Sequence, residues 1–439
     1  MADTAWEVNS EGESEKRELP RNFRKMDGRA KRAALADILD LSPQELHTTN
    51  PGHDMVDLAE VMVESAVGVM PVPMGIATGF LIDDEVVHIP MAVEEPSVIA
   101  AATFAGSLIA RNGGFTTVST GQVMTAQIIV DEVGPDVLPK VEAAERQLHT
   151  ELTGILGPMT RRGGGYRGID VSWLDEAQLL IVYLHVDTRD AMGANIINTA
   201  AEALRQPLEV ITGGSVLMAI LTNAAHRRRV QAHISLPVSR LARGDRSGEE
   251  MGRRLVRAND LARANVHRAV THNKGIMNGI SALALATGND TRAVEAAAHA
   301  WAARDGLYRG LTTYEVVDDQ LHASLEVPLA LGTTGGAVGF HPATRFALAL
   351  LFMNCPDGPS AERLSRVAVA LGLAQNMAAL LALVGEGIQR GHMRQHARRL
   401  AWSAGARKDE IPALAERLWE NGTFNRSVAE QILRELRSQ

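Results

Sequence analysis

Leu179-Leu180-Ile181-Val182-Tyr183-Leu184-His185-Val186-Asp187 is a nearly unbroken apolar run, and three residues later Asp190-Ala191-Met192-Gly193-Ala194-Asn195 opens a helix on small residues. The run reads as a buried strand. Upstream lie a strand at Met124–Val130, a helix near Leu138–Leu156 and a strand at Gly168–Trp173; downstream come a helix from about Met192 to Arg205 and a strand at Ser215–Leu221. That βαββαβ order is the order of a small split α/β unit of the ferredoxin type. It is not the usual dinucleotide fold, because no G-x-G-x-x-G follows a strand. A helix N-terminus built from small residues leaves backbone N–H groups for a pyrophosphate, and Gly193 permits close approach. The plainer reading of Asp190 is a cap on an ordinary helix.

Outward from this unit the patterning is helical. Leu35–Leu41 and Asp57–Val67 carry helical apolar spacing, with Ser42-Pro43 as a helix start between them. Gly79–Ile89 reads as a hairpin turning at Asp83-Asp84, and Glu95-Pro96-Ser97 opens an Ala-rich helix that Gly113-Gly114 closes. Beyond Thr222 the expected helices are Glu249–Ala269, Ile276–Ala286, Thr291–Ala303, Pro342–Met353 and Ala361–Val384, interrupted by a β segment near Leu321–Leu331. Past Glu386 two further helical patterns are separated by the loop Asn421–Asn425. The expectation is an α+β protein: a mainly helical large domain (21–121 and 222–385), an inserted ferredoxin-like split α/β domain (122–221), a C-terminal helical flap (386–439) and a disordered tail (1–20).

Composition narrows the function classes. The 439 residues are 46% hydrophobic and 22% charged, enough for two or three domains with buried cores. A net charge of −8 argues against general affinity for nucleic acid, which needs a basic surface to release counterions. The single cysteine, Cys355, excludes an internal disulfide and suits a reducing, cytoplasmic setting. The N-terminal stretch Asp3–Lys16 is polar, without the basic-then-apolar pattern of a signal peptide. Val367–Gly385 is long enough to cross a bilayer, yet its alanines, Gly372, Gln375 and Asn376 mark a buried core helix, so no membrane association is expected.

Several motifs could carry chemistry. Glu94-Glu95-Pro96-Ser97 places a carboxylate at a helix start, where a charged cap is the plain alternative. Thr271-His272-Asn273-Lys274-Gly275 reads as a glycine-flanked turn whose lysine could meet a developing oxyanion, with the aspartate of Gly288-Asn289-Asp290 to hold it; alone it is equally a surface turn. His392 and His396 share a helix face, but no third ligand is near and no metal is expected; one histidine as general acid is the sharper reading. Arg161–Gly168 looks like an RNA-binding arginine–glycine tract but is one short copy, read as a flexible loop. Gly335-Gly336 marks a turn or a close ligand approach.

Together these segments resemble the class II 3-hydroxy-3-methylglutaryl-CoA (HMG-CoA) reductases over nearly the whole chain. The likeness runs through Pro71–Gly75, Val93–Ser97, Asn112–Thr117, Asp190–Asn195, His272–Gly279, Gly288–Asp290 and Glu386–Met393. The resemblance implies that Glu95, Lys274, Asp290 and His392 are catalytic, and that Ser97, Arg268 and Asn278 hold the hydroxymethylglutaryl end with Asn223 near the lysine. It further implies that Arg24 meets the CoA phosphate and that Asp190, Met192, Gly193, Ala194 and Asn195 hold the dinucleotide.

On that resemblance Lys274 would stabilise the oxyanion, Glu95 would supply or exchange the proton, Asp290 would orient Lys274 and His392 would protonate the departing CoA thiolate. The product is mevalonate, or the substrate if the chain runs in the degradative direction. The family implies a homodimer with a shared active site and a mobile tail. No acid lies between Glu151 and Asp170 to meet ribose hydroxyls, whereas Arg161 and Arg162 suit a 2′-phosphate, which leans the cofactor from NADH toward NADPH. The rival readings are a non-catalytic CoA-binding or scaffold protein, and a nucleic-acid binder using Arg161–Arg167 and Arg227–Arg229.

Overall fold

The computed structural model describes residues 17–20, 22–23, 26, 28–40, 58–59, 61–64, 69–385, 387 and 389–438, except for the side chains of 28–29, 31–32 and 389–395. The tail Asp3–Lys16, all of 41–57 with the start Ser42-Pro43, Arg24 and Glu386 lie outside the described residues.

The helix Ala361–Val384 organises the large part. At 24 residues it is roughly 36 Å long, and a helix apolar on all sides must be surrounded. It packs against the helices Val98–Ala110, Gly248–Ala264 and Val266–Ala286 and against strands β8 (Arg229–Pro237) and β10 (Gln320–Pro328). Leu364, Leu371, Leu373, Met377 and Leu381 are buried in the largest apolar cluster, as the sequence reading of this segment required. Although the helix could span a membrane by length and apolarity, 78% of its most apolar window is buried in the protein.

Strands β1 (Met74–Ile82) and β2 (Glu85–Ala92) form the expected hairpin around Asp83 and Asp84, both with positive φ. A second antiparallel sheet runs β3 (Thr116–Ser119), β8, β10, β9 (Thr312–Val317). The sequence reading found only β10 of this sheet. In β8 the buried Val230, Ala232, Ile234 and Leu236 alternate with outward residues, a strand pattern hidden behind the charged run Arg227-Arg228-Arg229.

Between β3 and β8 the chain makes the third sheet: β4 (Val123–Asp131), β5 (Gly165–Leu174), β6 (Leu179–Asp187) and β7 (Ser215–Leu221), in the spatial order β5-β6-β4-β7 with every pair antiparallel. This is the ferredoxin-type arrangement predicted from the βαββαβ order. Ser119 on β3 sits opposite Val230 on β8, so the chain leaves and re-enters the large part at adjacent strand ends. The sheet's inner residues, Ala126, Ile128, Val182 and Leu184, pack on Leu148, Leu152, Ile197 and Leu208 in a separate core.

Several local expectations need correction. The Leu138–Leu156 helix is two helices, Leu138–Ala143 and Glu145–Arg161, and a second helix Arg205–Thr212 follows Ala194–Ala203. Thr271–Gly275 is not a turn but the middle of the helix Val266–Ala286, which starts where the Asn265 side chain accepts from the Arg268 N–H. Gly165 to Gly168 is not loop but the beginning of β5, where Gly168 at φ 116 forms a bulge opposite β6. The C-terminal part holds three helices rather than two, Gln389–Ser403, Ile411–Asn421 and Arg426–Ser438, which share a small core of Ala397, Ala401, Leu414, Leu418 and Leu433.

Candidate active site

Lys274 is presented by the helix Val266–Ala286 with two buried polar neighbours as anchors. Asn273 is fully buried; its amide donates to the Arg309 carbonyl at 2.8 Å and its oxygen accepts from the Leu311 N–H at 3.0 Å. His272 Nε2 lies 2.6 Å from Thr312 Oγ1 and 3.0 Å from the Asn376 amide, while Tyr314 donates to Asn376 at 3.0 Å and Thr312 to Asn259 at 2.9 Å. One side of this helix is thereby fixed to β9 and to the central helix, and Lys274 projects from the other with its side chain 59% exposed.

Glu95 arrives from the segment that follows β2. The Val93 N–H donates to the Pro73 carbonyl at 3.0 Å, and Ser97 begins the helix Val98–Ala110 from a left-handed conformation, φ 74, with no side-chain cap. Pro96 therefore precedes the helix instead of opening it. A non-glycine residue at positive φ is uncommon and is maintained where surrounding structure requires it. Here the turn delivers Glu95 to Lys274, Nζ to Oε2 at 2.9 Å across 179 residues of sequence. Glu95 and Ser97 line a cavity of about 1580 Å³ with Asn289 and an apolar wall that includes Pro71, Met74, Ile76, Phe104 and Phe346.

The expected contact between Asp290 and Lys274 is not formed. Asp290 caps the helix Thr291–Ala302, accepting from the Arg292 and Ala293 N–H groups at 3.0 and 3.1 Å, and it pairs with the Arg292 guanidinium at 3.2 Å. Burial opposes its charge, but the Ala293 N–H and Arg292 outweigh it and hold the carboxyl below its ordinary range. Beside Lys274 stands Glu95, the other carboxylate expected there. Arg268 is half-buried, and desolvation lowers its pKa. Arg268, Lys274 and Asn278 fall within about a third of the helix circumference, given 3.6 residues per turn. Asn223 is exposed in the turn after β7 and makes no hydrogen bond to Lys274 among the described residues. His392 lies on the helix Gln389–Ser403, with its side chain outside the described residues, as is Arg24. His396 packs near the Phe424 ring.

At the Asp190–Asn195 turn the roles divide. Gly193, at φ 96, starts the helix Ala194–Ala203 with no side-chain cap, and a Cβ there would lie 2.3 Å from Thr188 Cγ2. The first-turn N–H groups thus lack a cap while Asn195 is exposed beside them, which fits a pyrophosphate. Asp190 does not cap this helix. Its Oδ1 accepts from the Ala361 N–H at 2.9 Å, at the start of the central helix, and its carbonyl accepts from the Thr333 N–H at 2.8 Å. Gly163 and Gly164 pack on Asp187 and Arg189, which brings the turn after the exposed Arg161 and Arg162 beside the same loop.

Arg228 and Asn289 were missed as functional candidates. Arg228 looked like part of a basic run but is 1% exposed beneath the Asp190–Asn195 turn. Burial lowers its pKa to about 10, so it stays charged near neutrality. Its neighbours are also engaged: Arg227 pairs with Asp170 at 2.6 Å, Arg229 with Glu326 at 3.3 Å, and Arg167 with Asp187 at 3.0 Å. Of the arginines of the nucleic-acid rival, Arg167, Arg227 and Arg229 are thus paired with carboxylates and Arg228 is buried, which leaves little basic surface for phosphates.

An α+β scaffold with a split α/β insert and a lysine–carboxylate pair whose glutamate lines a large cavity is the class these features define. The family hydroxymethylglutaryl-coenzyme A reductase is matched by residues 28–397. The chain is 42% identical to the 3-hydroxy-3-methylglutaryl-coenzyme A reductase of Archaeoglobus fulgidus, over 95% of this chain and 94% of that one. It is 31% identical to a probable reductase of the same name from Borreliella burgdorferi, over 90% and 89%. Among solved structures, the reductase from Streptococcus pneumoniae superimposes with a TM-score of 0.78 at 37% identity, covering 95% of this chain and 99% of that one. Its class II form bound to NADPH in open conformations gives a TM-score of 0.77 at 37% identity, with 94% and 100% covered. The chain belongs to the hydroxymethylglutaryl-coenzyme A reductase family.

His272 gives this site a pH signature. Burial, helped by Arg268, lowers its pKa from 6.5 to about 3. The unfolded chain then binds the extra proton, so stability contributed by neutral His272 is present above pH 6.5 and lost as pH falls toward 3. The His272 ring is expected to show no titration between pH 5 and 8 by NMR; a folded-state midpoint near 6.5 would contradict the buried network.

Proposed function

We propose that the protein reduces HMG-CoA to mevalonate and CoA with two equivalents of NAD(P)H, and that Lys274 and Glu95 carry the chemistry. The observation that carries this reading is their 2.9 Å pair, whose Glu95 lines a cavity able to hold an acyl thioester. The dinucleotide, when bound, supplies hydride.

Addition of hydride to the thioester carbonyl leaves negative charge on oxygen. Lys274, half in solvent but held by its helix, stabilises that charge, and Glu95 next to it exchanges the proton. The resulting hemithioacetal collapses to an aldehyde by expelling a thiolate. A thiol with a pKa of about 8.5 leaves more readily when protonated, the role assigned to His392. A second hydride and proton give the alcohol, so two dinucleotides are oxidised for each thiol released. Asp290 is proposed to orient Lys274 in the assembled, substrate-bound site.

Ser97, Arg268, Asn278 and Asn223 are proposed to hold the acyl end, Arg24 the CoA phosphate, and Met192–Asn195 the pyrophosphate. Arg161 and Arg162, placed beside that turn, favour NADPH, the dinucleotide bound in the S. pneumoniae structure. Residues 122–221 serve the cofactor, residues 21–121 and 222–385 serve the substrate, and the tail from 386 closes as a flap between the two reductions. The separate core of the tail helices is consistent with movement as a unit. The direction proposed is synthesis, with degradation as the alternative outcome of the assay. A scaffold reading leaves the Lys274–Glu95 pair without a purpose.

Exposed apolar side chains support a second copy as partner. Val266 and Val270 form an i, i+4 pair on the lysine's own helix at 50% and 51% exposure, and Met70, at the cavity wall, is 89% exposed. A homodimer in which each copy completes the other's site covers them. Sedimentation should give twice 47.2 kDa; a species of one chain that is fully active would contradict it.

The assay follows dinucleotide absorbance and free thiol together. Two NADPH per thiol are expected, with kcat/KM higher for NADPH than for NADH, and Lys274→Ala lowering kcat by about a thousandfold. A chain ended at Gly385 should remain folded and lose turnover. One dinucleotide per thiol would mean arrest at the aldehyde, and none in the full-length protein would restore the scaffold reading.

A further inference from the structure

The proposed dinucleotide turn and the Gly288–Asp290 loop are joined by a short stretch of backbone, Leu331–Thr334. Arg228 Nη1 donates to the Ala191 carbonyl at 3.1 Å, the Met192 carbonyl at 3.4 Å and Thr188 Oγ1 at 3.2 Å, while Nη2 donates to the Leu331 carbonyl. The next residue is gripped from the opposite side. The Gly332 N–H donates to Asn289 Oδ1 at 2.7 Å, and Asn289 Nδ2 donates back to the Gly332 carbonyl at 3.1 Å, a closed two-bond ring resembling a strand pair. Thr333 and Thr334 then bond to the Asp190 carbonyl, and a Cβ on Gly332 would lie 2.5 Å from the Met192 nitrogen.

These bonds form one continuous series. It runs from Asn289 to Gly332, through Leu331 to Arg228, and from there to the carbonyls of the turn itself. A buried guanidinium with no carboxylate in salt-bridge range among the described residues is costly, offset by carbonyl acceptors and by the nearby charges of Asp187 and Asp190. A methionine would fill the same space without desolvating a charge. What the arginine adds is direction, because its planar fork binds two backbone segments at fixed angles.

We propose that Arg228 and Asn289 are positioning residues which, through Leu331–Thr334, hold the Asp190–Asn195 turn in register with the Gly288–Asp290 loop, so that the dinucleotide and thioester sites move as one unit. This rests on the functional reading above. It makes Asn289 a determinant of dinucleotide affinity although, among the described residues, its amide hydrogen-bonds only to Thr287 and Gly332.

The test is a double-mutant cycle on the full-length protein with Arg228→Lys, which keeps the charge and loses the fork, and Asn289→Ala. NADPH affinity is read by its fluorescence, KM for NADPH and for HMG-CoA separately, and folding by thermal melt. Asn289→Ala should weaken NADPH binding at least about fivefold in a folded protein, and the double variant should fall short of the product of the two single effects, since both act through one stretch. If Arg228→Lys fails to fold, Thr188→Val replaces it in the cycle. Unchanged NADPH affinity in Asn289→Ala, or effects that multiply independently, would overturn the inference alone. A parent protein with no affinity for NADPH would overturn the functional reading as well.

Discussion

The ion pair between Lys274 and Glu95 gives the site its chemistry, yet it cannot be what assembles the site. With side chains 59% and 37% exposed, such a pair contributes about 0–1 kcal/mol. The two residues meet because each is fixed from behind. Glu95 is placed by the Pro73–Val93 backbone bond and by the left-handed turn at Ser97, and Lys274 by the burial of its two preceding neighbours.

Those neighbours tie the site to the centre of the molecule. The helix Ala361–Val384 is apolar almost throughout, but Asn376 within it accepts from Tyr314 and reaches His272. A polar group buried there is tolerated because its partners are also buried and hydrogen-bonded. The same helix begins at Ala361, whose N–H is held by Asp190 of the insert. One rigid element thus connects the lysine's helix with the proposed cofactor turn, and Arg228 and Asn289 close a second route between them.

Much of this was legible in the sequence where local periodicity and tertiary burial agree. The split α/β order was read from strands whose inner faces are continuously apolar, and Ala361–Val384 from apolarity alone. The reading failed where local signals mislead. Gly275 suggests a turn at Lys274, but tertiary anchoring by His272 and Asn273 overrides a glycine's weak preference. β8 was hidden by the arginines at its start. That Asp290 also caps the helix Thr291–Ala302 was not read, although a carboxylate before a helix is first of all a cap. Arg228 illustrates the limit most clearly, since nothing in a run of three arginines says that the middle one is buried.

The central claim is that Lys274 and Glu95 act together on one carbonyl. The most direct test is a crystal structure of the assembled protein with HMG-CoA bound. The account predicts Lys274 Nζ within about 3 Å of the thioester oxygen, with Glu95 still in contact with Lys274. A thioester bound elsewhere, with Lys274 turned to solvent, would contradict it.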